Sequence, residues 1–265
     1  MVSRLRYKSK VERAELKRKD ILRRIREFRL LDDDFMSKCF EDNKECTELV
    51  LRIIMDKEDL EVIEARTQYT IKNLQGRSVR LDIEATDSEQ RKYNIEIQRT
   101  DSGAGVKRAR YNSSLLDANI LLQGDNPDNL PQTYVIFITE RDVMKKSKPI
   151  YHVDRFIKET GAEFGDGAHI IYVNGEYKDD TPLGLLMKDF ACDNPDDIHY
   201  KVLADRVRYF KEDKEGQGNM CKSMEELCNM EREVERIEVA ERMLEDNKYS
   251  LDEVAKISKL SLEDD

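Results

Sequence analysis

No run of about 18 apolar residues, the length a membrane-crossing helix needs, occurs in this chain of 265 residues. None lies near its start either, so neither a membrane span nor a secretory signal is expected. Cysteine and histidine are scarce. Cys39, Cys46, Cys192, Cys221 and Cys228 are scattered, odd in number and without a Cys-x-x-Cys pair, and His152, His169 and His199 join them at no zinc-site spacing. This argues against a structural zinc site and against a disulfide framework, and it points to a reducing cytoplasm. Internal repeats and low-complexity tracts are lacking too. What is present suits a water-soluble protein: 38% charged and 39% apolar residues, enough for one sizeable core with appendages or for two small domains.

The formal charge of −10 hides an asymmetry. Residues 1–29 hold twelve Lys or Arg against four Asp or Glu, a net of +8, which leaves −18 for the remainder. A basic segment ahead of an acidic body fits an arm that touches phosphate backbones. A solvated helix of mixed charge fits equally, since Val11, Leu16, Ile21, Leu22, Ile25 and Phe28 sketch an amphipathic face. The acidic body does not exclude nucleic acid as a partner, because a nuclease site must hold carboxylates for metals.

Two neighbouring stretches carry most of the chemistry. Val79, Leu81, Ile83 and Ala85 alternate with Asp82 and Glu84, and Tyr93, Ile95 and Ile97 alternate with Asn94, Glu96 and Gln98. Period two predicts two strands with one buried face each, and the polar link Asp87–Lys92 predicts a hairpin. With the apolar faces aligned, Asp82, Glu84, Glu96 and Gln98 gather on one surface. Crowded like charges repel, and a divalent cation is the natural compensation.

Along the chain, Asp32-Asp33-Asp34 predicts the cap and first turn of a helix through Phe40. A second helix is expected from Glu45 to Met55 with Leu49, Val50, Ile53 and Ile54 inward and Glu48 near that face. A strand follows within Glu61–Leu74, and Gly76 punctuates the turn after it. Thr100–Gly105 reads as a flexible break before a helix from Val106 to Leu122. Tyr134–Thr139 is apolar enough for a strand buried on both faces. Strands are expected at Ile150–Phe156 and His169–Val173, the latter closed by Asn174-Gly175 as a hairpin-type turn. Beyond Pro182 the pattern is helical. Met220, Met224, Leu227, Met230, Val234, Ile237, Ala240 and Leu244 form a stripe for core docking or for a dimerising coiled coil. Ser250–Glu253 is a capping box.

Taken in order, a helix bearing Glu48, a meander carrying Asp82 and Glu96-Ile97-Gln98, a basic helix and a buried strand resemble the PD-(D/E)XK nuclease superfamily. Leu81-Asp82-Ile83, Asn94–Gln98 and Lys107-Arg108-Ala109-Arg110-Tyr111 look like its branch of recombination-promoting nucleases, or transposases of the Rpn type. Asp32-x-x-Phe35, Asn129-Leu130-Pro131 and the short helix pair at the tail match as well, whereas Asn112 stands where relatives often have a second Tyr. The resemblance implies an α/β fold with a restriction-endonuclease-like core, a mixed central β-sheet flanked by helices, and a helical C-terminal extension. Its divisions would be a basic arm over 1–30, the nuclease-like domain over 31–200, and a helical region over 201–265 with a helix-turn-helix-like tail.

The same resemblance implies that Asp82 and Glu96 bind magnesium or another divalent cation, with Glu48 as the helix acid that completes the metal site, a place for which Glu45 competes. Gln98 takes the catalytic position often held by Lys, where its amide can orient water but supplies no positive charge. Either the metal then stabilises hydroxide alone or a basic residue arrives from elsewhere. Lys107, Arg108 and Arg110 become the DNA contacts. The implied activity is that of a magnesium-dependent endodeoxyribonuclease linked to recombination or mobile DNA. The alternative is a non-catalytic DNA-binding or regulatory protein on the same scaffold. Glu84 and Asp32 read more simply as a solvated strand acid and a helix cap, and the three histidines as structural, because the sequence around them suggests no carboxylate partner. The expected partners are DNA and, through the C-terminal helix, a second copy, with no membrane.

Overall fold

The computed structural model describes residues 10–71, 79–99, 101–121, 123–246 and 248–259. Residues Arg26–Lys211 form one compact unit, and the described residues up to Ile25 and from Glu212 onward form another. The first unit contains a six-stranded mixed sheet: β1 (Val62–Ile71), β2 (Val79–Asp87), β3 (Lys92–Gln98), β4 (Thr133–Thr139), β5 (Ile150–Val153) and β6 (Ala168–Asn174), in the order β1-β2-β3-β4-β6-β5. The first three strands are an antiparallel meander, β3, β4 and β6 run parallel, and β5 returns antiparallel to β6.

Alternation decides which side chain faces where. Ile83 pairs with Ile95 and Glu84 with Asn94, so Asp82 and Glu96 share a face with Glu84 and Asn94. The parallel register carries that face onward from Glu96 to Phe137 and Tyr172, and from Gln98 to Thr139 and Asn174. Helix α4 (Val106–Ile120) covers this side, where Ala109, Leu115 and Leu116 cluster with Val135, Phe137 and Tyr172. Val135, Ile136, Phe137 and Ile138 are all inaccessible to solvent, as a central strand covered on both faces requires.

Helices α2 (Asp33–Phe40) and α3 (Lys44–Met55) contact β1, and α2 also contacts β2. The buried stripe of α3 is Cys46, Thr47, Val50, Leu51 and Ile54, so Leu51 points inward in place of Leu49 and Ile53. Helices α5 (Pro182–Ala191) and α6 (Lys201–Glu212) complete the unit. Lys211 is buried and ties three segments together, its ammonium donating to the carbonyls of Arg26, Phe28 and Asp193. This is an α/β fold, a mixed sheet flanked by helices with a helical C-terminal region, consistent with a restriction-endonuclease-like core.

Three further expectations need correction. Asn174-Gly175 does not close a hairpin, since β6 runs on to α5; Gly175 is needed because an added Cβ would sit 2.4 Å from the Thr139 carbonyl. Asp101–Ala104 is not a loose break but a 3-10 turn, with Gly103 and Ala104 buried. His169 and His199 do have carboxylate partners, Asp154 at 2.6 Å and Asp189 at 2.7 Å, brought together by the fold across 15 and 10 residues.

The other unit contains helix α1 (Lys10–Glu27), the long α7 (Lys214–Glu245) and α8 (Leu251–Ser258). Ser250 and Glu253 form the expected capping box, and α8 contacts α7. Met220, Met224 and Ala240 are buried whereas Ile237 and Leu244 are exposed. The turn at Gly76, the chain at Leu260–Leu262 and the side chains of Val11, Leu16, Leu227, Met230 and Val234 lie outside the described residues. Among the described residues no helix is long and apolar enough to cross a membrane.

Candidate active site

The site forms where β2 leaves β3. Backbone pairing of the two strands ends at Ile83–Ile95, although β2 stays paired with β1 as far as Val79 and β3 with β4 as far as Gln98. At this fork the Ile97 amide turns to a side chain: it donates to Asp82 Oδ2 at 2.8 Å. Glu96 stands on the neighbouring strand, wholly buried, and Asp82 is buried too. The fold therefore brings together the two acids that the alternation placed on one face.

Both carboxyls are held above the usual carboxylate range. For Asp82 burial is the main cause, followed by the charges of Glu96 and Asp33, and the Ile97 amide and Arg108 offset only part of this. Burial dominates at Glu96 as well, opposed by Arg108 and by the Asn94 amide beside it. Arg108 Nη2 lies 3.2 Å from Glu96 Oε2, reaching down from the first turns of α4. Glu96 Oε1 completes no hydrogen bond of good geometry, although the Asn94 amide and the Asp82 backbone act on the carboxyl. A buried anionic oxygen without a donor is costly, and sites that tolerate this are disproportionately functional.

Gln98 lies on the same face, two residues beyond Glu96. Its side-chain oxygen rests over Gly103, where an ideal Cβ would come within 1.7 Å of it, so a glycine in the 3-10 turn makes room for that amide. The rim above is a ring of charges. Arg29 pairs with Glu140 at 2.9 Å, and Arg99 reaches Asp32 at 2.7 Å and Glu140 at 3.5 Å. Asp32 stands at the N-cap of α2, yet its side chain makes no cap bond and accepts from the Arg29 amide and Arg99 instead.

Not every expected residue arrives. Glu48 does not: its carboxylate accepts from the Val62 amide at 2.9 Å and pairs with Arg52, and Val62 sits beside Asp87 at the other end of β2. Five residues of strand put it roughly 17 Å from Asp82. Lys107 and Arg110 are exposed on α4, while Arg108 alone of the three reaches an acid of the fork. Glu84 is half-buried rather than solvated, its Oε2 paired with Arg66 at 3.6 Å without completing a hydrogen bond. Asp33 is the residue that sequence reasoning undervalued. It opens α2, lies 3.8 Å from Arg80 and acts electrostatically on both Asp82 and Glu96. Its signal was the acidic run Asp32–Asp34, which a helix N-terminus explains by itself.

A divalent cation fits this donor set. Magnesium takes hard oxygen ligands and is commonly held by one or two carboxylates together with water and substrate phosphate. Asp82 and the bare Oε1 of Glu96 supply that pair. Among the described residues no group of three His, Cys, Asp or Glu side chains converges into a ready-made metal centre.

Residues 36–179 match the family model described as PD-(D/E)XK nuclease family transposase, and that span is more than half of the chain. No curated protein and no solved structure matches it.

Proposed function

We propose that this chain, which belongs to the PD-(D/E)XK nuclease family of transposases, is a metal-dependent DNA endonuclease that serves recombination or the movement of mobile DNA. The observation that carries this reading is the starved carboxylate pair: Glu96 wholly buried with Oε1 unpartnered, beside Asp82, at the point where the sheet forks. Asp82 and Glu96 would hold a divalent cation, most naturally magnesium. The chemistry such an ion supplies when bound is a lowered pKa for coordinated water and screening of the phosphoryl oxygens.

The protein's own groups do the rest. Gln98, seated over Gly103, orients a water through its amide and cannot supply charge. Arg108 supplies that charge, reaching the fork from α4 and lowering the proton affinity of Glu96. It stands in for the lysine that the motif commonly carries at position 98. Lys107 and Arg110, exposed on the same helix, contact DNA phosphates. The proposed setting is the cytoplasm, in keeping with the free thiols of Cys39, Cys46, Cys192 and Cys221. A homodimer through α7 has its support in the exposed Ile237 and Leu244.

Incubating the protein with plasmid and magnesium should nick or cut the DNA, and Asp82→Ala should end this. Cleavage that survives the substitution would exclude the site. A second reading, a non-catalytic DNA-binding protein on the same scaffold, has one observation in its favour: Arg108 already engages one oxygen of Glu96. Magnesium-independent DNA binding with no cleavage in any divalent metal would establish it.

A further inference from the structure

The segment after β4 reads Arg141-Asp142-Val143-Met144-Lys145-Lys146-Ser147-Lys148, with four cations around one acid. The acid is turned inward and organises the loop. Asp142 Oδ1 accepts from the amides of Met144 and Lys145 at 3.1 and 3.0 Å, and Oδ2 from those of Lys146 and Ser147 at 2.9 and 2.7 Å. The Tyr151 hydroxyl donates to the same carboxylate, and this array holds Asp142 below the usual carboxylate range. Lys145 and Ser147 adopt left-handed backbone angles (φ 54° and 53°), which side chains rarely take unless the surroundings impose them. Further along, the Lys148 carbonyl accepts from the Asn174 side chain.

All four cations are exposed, and none is used by the site described above. Their position is what gives them meaning. The loop leaves β4 at Thr139, directly beside Gln98, and the Glu140 amide donates to the Gln98 carbonyl at 3.0 Å. Val143 and Met144 pack on the same cluster as Ala109 of α4, so the loop flanks the face on which Glu96 and Arg108 meet. Arg141 thus begins only one strand spacing and a few residues from the fork, on the order of 10–15 Å. That is the span of a few phosphates along one strand of a duplex.

We propose that residues 141–148 form a preordered grip for the phosphate backbone of the DNA engaged at the fork, with Lys145, Lys146 and Lys148 as its point charges. The inference rests on the nuclease reading and extends it to a second basic surface besides α4. Ordering the loop around Asp142 means that its backbone need not be immobilised on binding. This makes an unusual demand: removing a negative charge, Asp142, should weaken binding to a polyanion.

The test is equilibrium binding of the full chain to a fluorescent duplex in EDTA across a salt series. Variants are the triple Lys145→Ala/Lys146→Ala/Lys148→Ala, and Asp142→Ala and Asp142→Asn, each checked by thermal melting. The triple variant should lower the magnitude of the log–log salt slope by about 2 to 3, at about 0.9 for each phosphate that is no longer neutralised. Both Asp142 variants should bind several-fold more weakly while remaining folded. A wild-type slope in the triple variant, or tighter binding by a folded Asp142 variant, would overturn the grip and leave the nuclease reading standing. If the wild-type chain does not bind DNA at all, the grip falls; magnesium-dependent cleavage and its loss in Asp82→Ala judge the nuclease reading separately.

Discussion

The two ends of the β2–β3 hairpin bury carboxylates and treat them in opposite ways. At the turn, Asp87 is saturated: it accepts from the amides of Glu89 and Arg91, from Arg91 Nε at 2.6 Å and from the Tyr93 hydroxyl at 2.7 Å. At the fork, Asp82 and Glu96 together receive only one amide and one guanidinium in bonds of good geometry, the Asn94 amide and the Asp82 backbone acting more weakly, and an oxygen completes no bond. The same strands, a few residues apart, therefore hold a fully satisfied acid and a pair left short of donors. What separates them is the supply of donors, not burial, for Asp87 and Glu96 are equally inaccessible.

The sharpest way to test this contrast is to remove one acid from each end. Asp82→Ala should lower cleavage by about a thousandfold or more, ~4 kcal/mol of transition-state stabilisation, while thermal melting in EDTA stays level or rises. Asp87→Ala should do the reverse. It leaves Arg91 buried beside a void and should cost about 3–5 kcal/mol of stability, read from urea denaturation, while surviving folded protein keeps its cleavage rate per molecule. If both substitutions unfold the chain alike, the distinction between the two ends fails.

Arg108 is the bridge between structure and chemistry at the fork, so its loss should fall between those extremes. Arg108→Gln should reduce cleavage roughly 10–100-fold, the range seen when groups that tune metal ligands are removed. Because Arg108 lowers the proton affinity of Glu96, the acid limb of the pH–rate profile should move to higher pH, and Arg108→Lys should restore part of the shift. A rate loss with an unmoved profile would reduce Arg108 to a packing role.

The same electrostatics give a pH test without DNA. Burial pushes Asp82 up to about 8 and Glu96 up to about 7. Between the ordinary carboxylate values and these, the folded protein holds protons that the unfolded chain has released. Stability from these groups is therefore present at low pH and is lost as pH rises towards 8. In EDTA the urea midpoint of the wild type should fall from about pH 5.5 to about pH 8.5 more steeply than that of Asp82→Asn, whose amide does not titrate. Parallel profiles would mean that the fork acids are solvated and satisfied.

How much of this was written in the sequence follows from the range of the forces involved. Period-two alternation depends on adjacent residues, so β2, β3 and the shared face of Asp82 and Glu96 were legible from a dozen positions. The buried β4 announced itself by composition. Glu48 misled because helical phase cannot say which end of a sheet a helix crosses; the answer lay in its bond to the Val62 amide. Arg108 and its neighbours Lys107 and Arg110 were equivalent in sequence, and only the close approach of α4 to β3 selects one. The partners of His169 and His199 were hidden for the same reason, being 15 and 10 residues away. Asp33 was visible but already explained by the helix dipole, and a sufficient local explanation conceals a second role.

The smallest expected effect is at Gly103, which looked like part of a loose linker. Its Cα lies under the Gln98 amide, and an added methyl would collide with the far end of that flexible side chain rather than with backbone. Gly103→Ala should therefore be cheap in stability, within about 1 kcal/mol, because Gln98 can swing aside. The same swing should remove the amide from the fork. If Gln98 orients the attacking water, Gly103→Ala should slow cleavage about as much as Gln98→Ala does, and the double variant should be no slower than either single one. Additive losses would show that the glycine serves only its own turn, and that the bare oxygen of Glu96 acts without help from position 98.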